Sequence, residues 1–288
     1  MNATGLDADA FKAEQRRNWN GLSSDWDKWY DLFESGAAAA TGALLAAAEV
    51  TFGDSILDIG SGTGQPALAA ATLVGPNGHV LGIDQAADML AISRRRSKDL
   101  GLDNTEFSEM DAEFLELPPG SVDAAISRWS LMFLPDAPRA LRSVHTALRP
   151  GGILAAVVWG SAPQVPMLSL GFSVVAARLG MGAPPAGLPG PFSMADPQHV
   201  TRMLAEAGFT DVSAKRCPIV FTPASAEEFA DFSMDLLPGW LKAKLDAVDA
   251  GGARTRLAVA AAATEFASDL GPLQVPCLSY SLRAVKPR

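Results

Sequence analysis

The sequence predicts a doubly wound α/β fold built on a mainly parallel sheet. Three observations predict it. An apolar run ending in an acid, Ile56-Leu57-Asp58-Ile59, leads into Gly60, Gly62 and Gly64 at alternate positions and then an alanine-rich run from Ala67 to Leu73. A second run, Val80-Leu81-Gly82-Ile83-Asp84, again ends in an acid. Strand-like and helix-like segments then alternate through five strands, the pattern from which parallel sheets covered on both faces are built.

The elements follow in order. Asp7 to Asn18 has helical composition, with Asp7 placed to cap it. Trp26, Trp29, Tyr30 and Phe33 recur at three- and four-residue spacing and are expected on one helix face. That face either packs on the core or closes over a ligand. Gly36 to Val50 reads as an alanine-rich helix, and Gly53-Asp54 as the turn into strand one. The helix after the glycine turn stops at Val74-Gly75-Pro76-Asn77-Gly78. Ala86 to Leu100 is the next helix, ended by Gly101. Strand three runs from Glu106 into an acidic turn, Asp111-Ala112-Glu113. Strand four is Val122 to Ser127, after Pro118-Pro119-Gly120. Asp136 starts a helix through Leu148, and Ile153 to Val158 is strand five. Beyond Trp159 come a Pro- and Gly-rich stretch to Pro191 holding a short helix, Leu168 to Leu179, and a capped helix from Asp196 to Gly208. Strand six, Val212 to Phe221, is followed by two or three helices from Ala224 to Leu270, broken at Pro238-Gly239 and Gly251-Gly252. Gln274 to Val285 is the last strand. The organisation expected is N-terminal helices over 1–50, a ligand-binding core over 51–160, and over 161–288 a helical cap together with the two strands that complete the sheet.

Composition narrows the function. The 288 residues are 48% hydrophobic, enough for a sizeable core, and carry a net charge of −9. Nucleic-acid binding normally needs a basic stripe. The one basic run, Arg94-Arg95-Arg96, reads as a solvated helix face, so no nucleic-acid partner is expected. Cys217 and Cys277 lack metal-ligand spacing and read as buried thiols in a reducing cytoplasm. The N-terminus has no basic start or apolar signal core. The longest apolar runs, Ile153 to Trp159 and Leu257 to Ala263, are too short to cross a bilayer. No Ser-His-Asp order, HExxH, CxxC or Walker pattern is present, and no metal is expected. His79, His145 and His199 all fall away from the strand ends.

The glycine turn alone is ambiguous, because Gly62 to Ala67 also satisfies the dinucleotide pattern G-x-G-x-x-G/A. Asp58 and Gly60 extend it to D-x-G-x-G-x-G. Asp84 follows Gly64 by 20 residues, and the Asp111 turn follows strand three. On this ordered set, from about Ala48 to Trp159, the chain resembles the class I S-adenosylmethionine-dependent methyltransferases. It is most similar to the ubiquinone/menaquinone C-methyltransferase-like branch and to natural-product methyltransferases. The resemblance implies a Rossmann-like seven-stranded sheet whose last strand runs antiparallel between strands five and six. It implies S-adenosylmethionine as cofactor and S-adenosylhomocysteine as product. Asp84 would take the ribose diol in a charge-assisted bidentate contact, and Asp58 the cationic amino group. Gly60, Ser61, Gly62, Thr63 and Gly64 would line the methionine and ribose. Gln85 and Met89 would flank the adenine. Asp111 would accept from its amino group, the Ala112 amide would donate to a ring nitrogen, and Glu113 would complete the turn. Arg128 would stand near the methionine end.

The acceptor is expected to be a hydrophobic small molecule held by Trp26, Trp29, Tyr30, Trp129, Phe133 and Trp159, with the cap adding Met167, Phe229, Phe232, Met234 and Trp240. Tyr30 and an acid from the cap are the candidate bases. Carbon is the favoured acceptor atom by resemblance, oxygen and nitrogen stay open, and secondary metabolism is the expected setting. The enzyme is expected to be cytoplasmic and a monomer or homodimer. Three rival readings remain: a cofactor-binding cyclase that does not methylate, a nicotinamide-dependent oxidoreductase, and a non-enzymatic binding module.

Overall fold

The computed structural model describes residues 7–182, 187–269 and 271–288. Residues 1–6, read above as lacking a targeting signal, and 183–186, within the Pro- and Gly-rich stretch, lie outside the described residues. Leu270, the expected end of the last helical run, does too.

Seven strands form one sheet: β1 (Ser55–Ile59), β2 (His79–Asp84), β3 (Thr105–Glu109), β4 (Val122–Arg128), β5 (Leu148–Trp159), β6 (Thr210–Phe221) and β7 (Val275–Val285). Their order is β3-β2-β1-β4-β5-β7-β6. The first five are parallel, and β7 runs antiparallel to both neighbours. The register sets Asp58 beside Gly82 and Asp84 beside Glu109. The chain switches direction between β1 and β4, so a crevice opens at the carboxyl ends of β1, β2 and β4, the usual place for a ligand in such sheets.

The central strands read as continuous apolar runs because helices cover both faces. Ile56, Leu57 and Ile59 are buried, and burying each contributes about 2 kcal/mol. Helix α1 spans Ala8–Lys28, α2 Tyr30–Ala47, α3 Ala67–Val74, α4 Ala87–Asp99 and α5 Ala137–Ala147. Asp7 caps α1 by accepting from the Ala10 amide at 3.1 Å, and Asp136 caps α5 by accepting from Arg139 at 3.0 Å. Helix α5 buries Ala137, Ala140, Leu141 and Val144, one helical face. Helix α2 lies against β6 so closely that a Cβ on Gly36 would stand 2.3 Å from the Phe221 ring. The rest is α6 (Pro166–Arg178), α7 (Pro197–Glu206), α8 (Ala226–Asp235), α9 (Gly239–Asp246) and α10 (Ala253–Ala263). The two breaks foreseen at Pro238-Gly239 and Gly251-Gly252 separate α8, α9 and α10. Among the described residues no helix is long and apolar enough to cross a membrane.

One sequence expectation fails here. The aromatic residues from Trp26 to Phe33 do not share a single helix face, because the helix breaks at Trp29, where ψ turns to 11°. The Trp29 indole donates to Asp235 at 3.0 Å and meets the Phe232 ring edge-on at 5.8 Å. That partnership ties the break to α8.

Candidate cofactor and substrate site

A cavity of about 500 Å³ opens at the carboxyl ends of β1, β2 and β4, beneath the N-terminal helix. The turn between β1 and α3 forms one wall. Gly60 and Ser61 donate their amides to the Ile83 carbonyl at 2.8 and 3.0 Å, which fixes the turn to β2. Gly60 has φ +70°, and a Cβ there would stand 2.3 Å from the Ser130 Cβ, so glycine is required both for conformation and for approach. Helix α4 braces the turn from outside. Ser93 donates to the Gly62 carbonyl at 2.6 Å, and Arg96 to the Thr63 carbonyl at 2.9 Å.

The basic run is solvated at Arg94 and Arg95, as the sequence predicts, whereas Arg96 turns inward. Arg96 also donates to Asp27 of α1, with Arg95 joining the same carboxylate, and Arg94 reaches the Phe107 carbonyl. Periodicity alone does not reveal it, because the partners lie on other elements.

Asp58 is fully buried. Its Oδ2 accepts from the Ala67 amide at 3.1 Å, and its Oδ1 has no partner among the described residues. Burial pushes its carboxyl up to about 7, against the pull of Arg128 and the Ala67 amide. A raised carboxyl pKa makes the protonated form the stable one in the fold. The empty protein is therefore expected to lose roughly 4 kcal/mol of stability as pH rises from about 4 through about 7. Urea unfolding of the unliganded wild type and Asp58→Asn from pH 5 to 8 checks this. The gap between the two should move against the wild type with rising pH, and a pH-independent gap refutes it.

Asp84 lines the cavity. Its two oxygens accept from the Gly62 amide at 3.0 Å and the Ala86 amide at 2.9 Å. Burial raises its pKa, with the Ala86, Gly62 and Gln85 amides pulling the other way. At the far end Gln85, Met89, Asp111 and Ala112 also line the cavity. Asp111 Oδ1 accepts from the Glu113 amide at 2.9 Å. Lys12 of α1 crosses to Asp111 at 2.7 Å and also pairs with Glu113. The Glu113 carboxylate takes the Asp136 amide as well and does not line the cavity. Gly64 and Asp58 stand just behind the wall.

Trp26, Trp129, Phe133 and Trp159 line the other end. The Trp129 and Trp159 rings stack at 4.0 Å, 5° from parallel, and the Trp129 indole donates to Ser279. Trp129 sits at φ +57°, a strained conformation for a bulky residue, held by its amide on the Val157 carbonyl at 2.8 Å. Of the cap residues expected here, Trp240 lines the cavity, whereas Met167, Phe229, Phe232 and Met234 are buried in the core. Trp29 and Tyr30 are outside the cavity lining. The Tyr30 ring lies under the Arg96 guanidinium, 3.3 Å from its centroid. Arg128 is ion-paired with Glu34 rather than free. Glu34, Lys12, Phe11 and Trp19 line the cavity and were not singled out in the sequence. The polar pattern of α1 was the available signal for Lys12.

These residues fit the cofactor that the resemblance implies. The buried Asp58 Oδ1 and the buried Ser61 hydroxyl have no partner among the described residues, as sites for a polar ligand do. Nothing stands within 4 Å of where a Gly62 Cβ would be, so the turn faces open space. The acids sit in the sequence needed for an ammonium, a diol and an aromatic amine.

Comparison with known proteins identifies the family. Residues 51–208 match the family described as "Methyltransferase domain". The chain is 38% identical over 126 residues to the ubiquinone/menaquinone biosynthesis C-methyltransferase of Hahella chejuensis, covering 43% of this chain and 50% of that protein. It is 38% identical over 112 residues to the aklanonic acid methyltransferase of Streptomyces sp. strain C5, covering 39% and 51%. The matched region thus spans about half the length of these curated relatives. Among solved structures the 4+2 cyclase SpnF superposes with a TM-score of 0.55 at 22% identity, over 94% of this chain and 97% of that one, a likeness of fold. With more than half its length matched, the chain belongs to the methyltransferase-domain family, whose cofactor is S-adenosylmethionine.

Proposed function

We propose that this chain moves the methyl group of S-adenosylmethionine to a hydrophobic small molecule, with carbon the favoured acceptor atom and secondary metabolism the setting. The observation that carries the reading is one cavity with acids at one end and stacked indoles at the other. The cofactor supplies a methyl already activated by its sulfonium, so neither a metal nor a covalent nucleophile is required. Asp58 would neutralise the ammonium, Asp84 hold the diol, and Asp111 with the Ala112 amide the adenine. Trp26, Trp129 and Trp159 would exclude water and hold the acceptor. Positioning of reactants at about 3–3.5 Å can supply much of the rate. The preference for carbon rests on the relatives named above.

A second reading keeps the cofactor without methylation, and the full-length likeness to a cyclase is what favours it. Titration calorimetry with S-adenosylmethionine, S-adenosylhomocysteine and NADH tests both. Micromolar binding of the first two and none of NADH is expected. Release of S-adenosylhomocysteine on incubation with acceptor supports methyl transfer, and product formation without that release supports the cyclase. Binding of NADH alone overturns both.

A further inference from the structure

We propose that Glu34, held in place by Arg128, selects acceptors that carry a hydroxyl group on an uncharged aromatic framework. This deepens the reading above and rests on it. The ionisable groups that line the cavity, among the described residues, are Lys12, Glu14, Glu34, Asp84, Asp111 and Arg128. Lys12 and Asp111 pair with each other at one end. Asp84 is bonded to two backbone amides. Glu14 stands on the roof helix. Glu34 and Arg128 are the charged pair beside the aromatic wall, since the Arg128 guanidinium lies 5.0 Å from the Trp129 ring centroid. Phe33, next to Glu34, meets the Trp26 ring at 4.8 Å and the Trp129 ring at 5.3 Å.

The two partners differ in what they have left to offer. Arg128 has five N–H donors. One nitrogen gives to Glu34 at 2.6 Å and to Thr41 at 2.7 Å, and the other gives to the second Glu34 oxygen and to the Gln65 carbonyl at 3.4 Å. Its donors are almost all engaged, and its side chain is 5% exposed. Each Glu34 oxygen, by contrast, accepts one hydrogen bond and keeps a lone pair. The Glu34 side chain is 19% exposed, on the cavity side. The pair therefore presents an acceptor to the cavity and withholds its donors. A hydroxyl on the substrate satisfies it, an isosteric methyl leaves it unpaired, and a carboxylate meets like charge. The Gln65 contact ties this pair to the residue that follows the glycine turn, so the hydroxyl is read where the two halves of the cavity meet. Trp129 and Trp159, stacked on each other, also line the cavity and add apolar surface for an aromatic framework.

The test is calorimetry on the protein saturated with S-adenosylhomocysteine, which permits no turnover. The probes are 2-naphthol, its isostere 2-methylnaphthalene, and 2-naphthoate. Wild type is expected to bind 2-naphthol at least ten-fold more tightly than either of the others. Glu34→Gln should bring 2-naphthol within about two-fold of 2-methylnaphthalene and leave the latter's affinity unchanged. The wild-type comparison decides the question even if the variant does not fold. Equal binding of naphthol and its isostere overturns the proposal, as does no naphthol binding. Tightest binding of naphthoate also overturns it, because Arg128 would then be the reader. If S-adenosylhomocysteine itself fails to bind, the proposed function falls instead, so the two failures are distinguishable.

Discussion

Asp84→Ala is expected to weaken S-adenosylmethionine and S-adenosylhomocysteine about 100-fold. The carboxylate stands ready for two charge-assisted hydrogen bonds to a diol, each worth about 1.5–3 kcal/mol. It also accepts from the Gly62 and Ala86 amides, so its removal frees the glycine turn and the entry to α4. Part of the loss is therefore reorganisation. Asp84→Asn keeps one acceptor and should fall between wild type and alanine. Calorimetric affinities of the three proteins, with thermal unfolding to show that each is folded, provide the check. An unchanged affinity in the alanine variant would remove Asp84 from the cofactor site.

Gly60→Ala should damage fold and site together. The new methyl would meet Ser130 Cβ at 2.3 Å and Oγ at 2.5 Å, in a residue already at φ +70°. Ser130 cannot simply step aside, since its hydroxyl donates to the Ile59 carbonyl at 2.6 Å and shares a hydrogen with Ser127. Backbone strain and overpacking together cost about 3 kcal/mol, and cofactor affinity should fall more than ten-fold. Gly42→Ala is the control. It lies in α2 with nothing within 4 Å of the added methyl, and it should raise stability by about 0.5–1 kcal/mol. Urea midpoints for the two variants decide the matter; equal midpoints would mean that the turn tolerates a side chain.

How much of this could be read in the sequence depends on the range over which each signal acts. The five parallel strands and the acid at the end of β1 and of β2 were legible, because hydrophobic runs and glycine turns are local. The helix breaks at Pro238-Gly239 and Gly251-Gly252 were legible for the same reason. The antiparallel place of β7 came only through resemblance, since strand order is not written in periodicity. The fate of the aromatic run was missed. Spacing predicted one face, but the helix breaks at Trp29, whose indole meets Asp235 some two hundred residues away. Glu34, on α2, was missed because its significance lies in Arg128, at the end of β4. The inward turn of Arg96, within an otherwise exposed basic run, was missed because the Asp27 carboxylate and the Thr63 carbonyl that it meets are set by the packing of α1 and the glycine turn on α4. Side-chain pairs across elements need the register of the fold before they can be seen.

The position of β7 has a consequence for how the molecule is made. A strand near the end of the chain fills the slot between β5 and β6, pairing from Ile153↔Val285 to Trp159↔Ser279 on one side and from Thr210↔Val285 to Phe221↔Val275 on the other. During synthesis the first five strands and the glycine turn can form while this slot stays empty, leaving β5 with an open edge and β6 with no neighbour. Closing it is a long-range event, slow by topology. Trp129 is held to β7 through Ser279, so the aromatic wall is finished only when that strand arrives. The glycine-turn side of the cavity can be assembled early in translation, and the Trp129 side is completed only when β7 arrives.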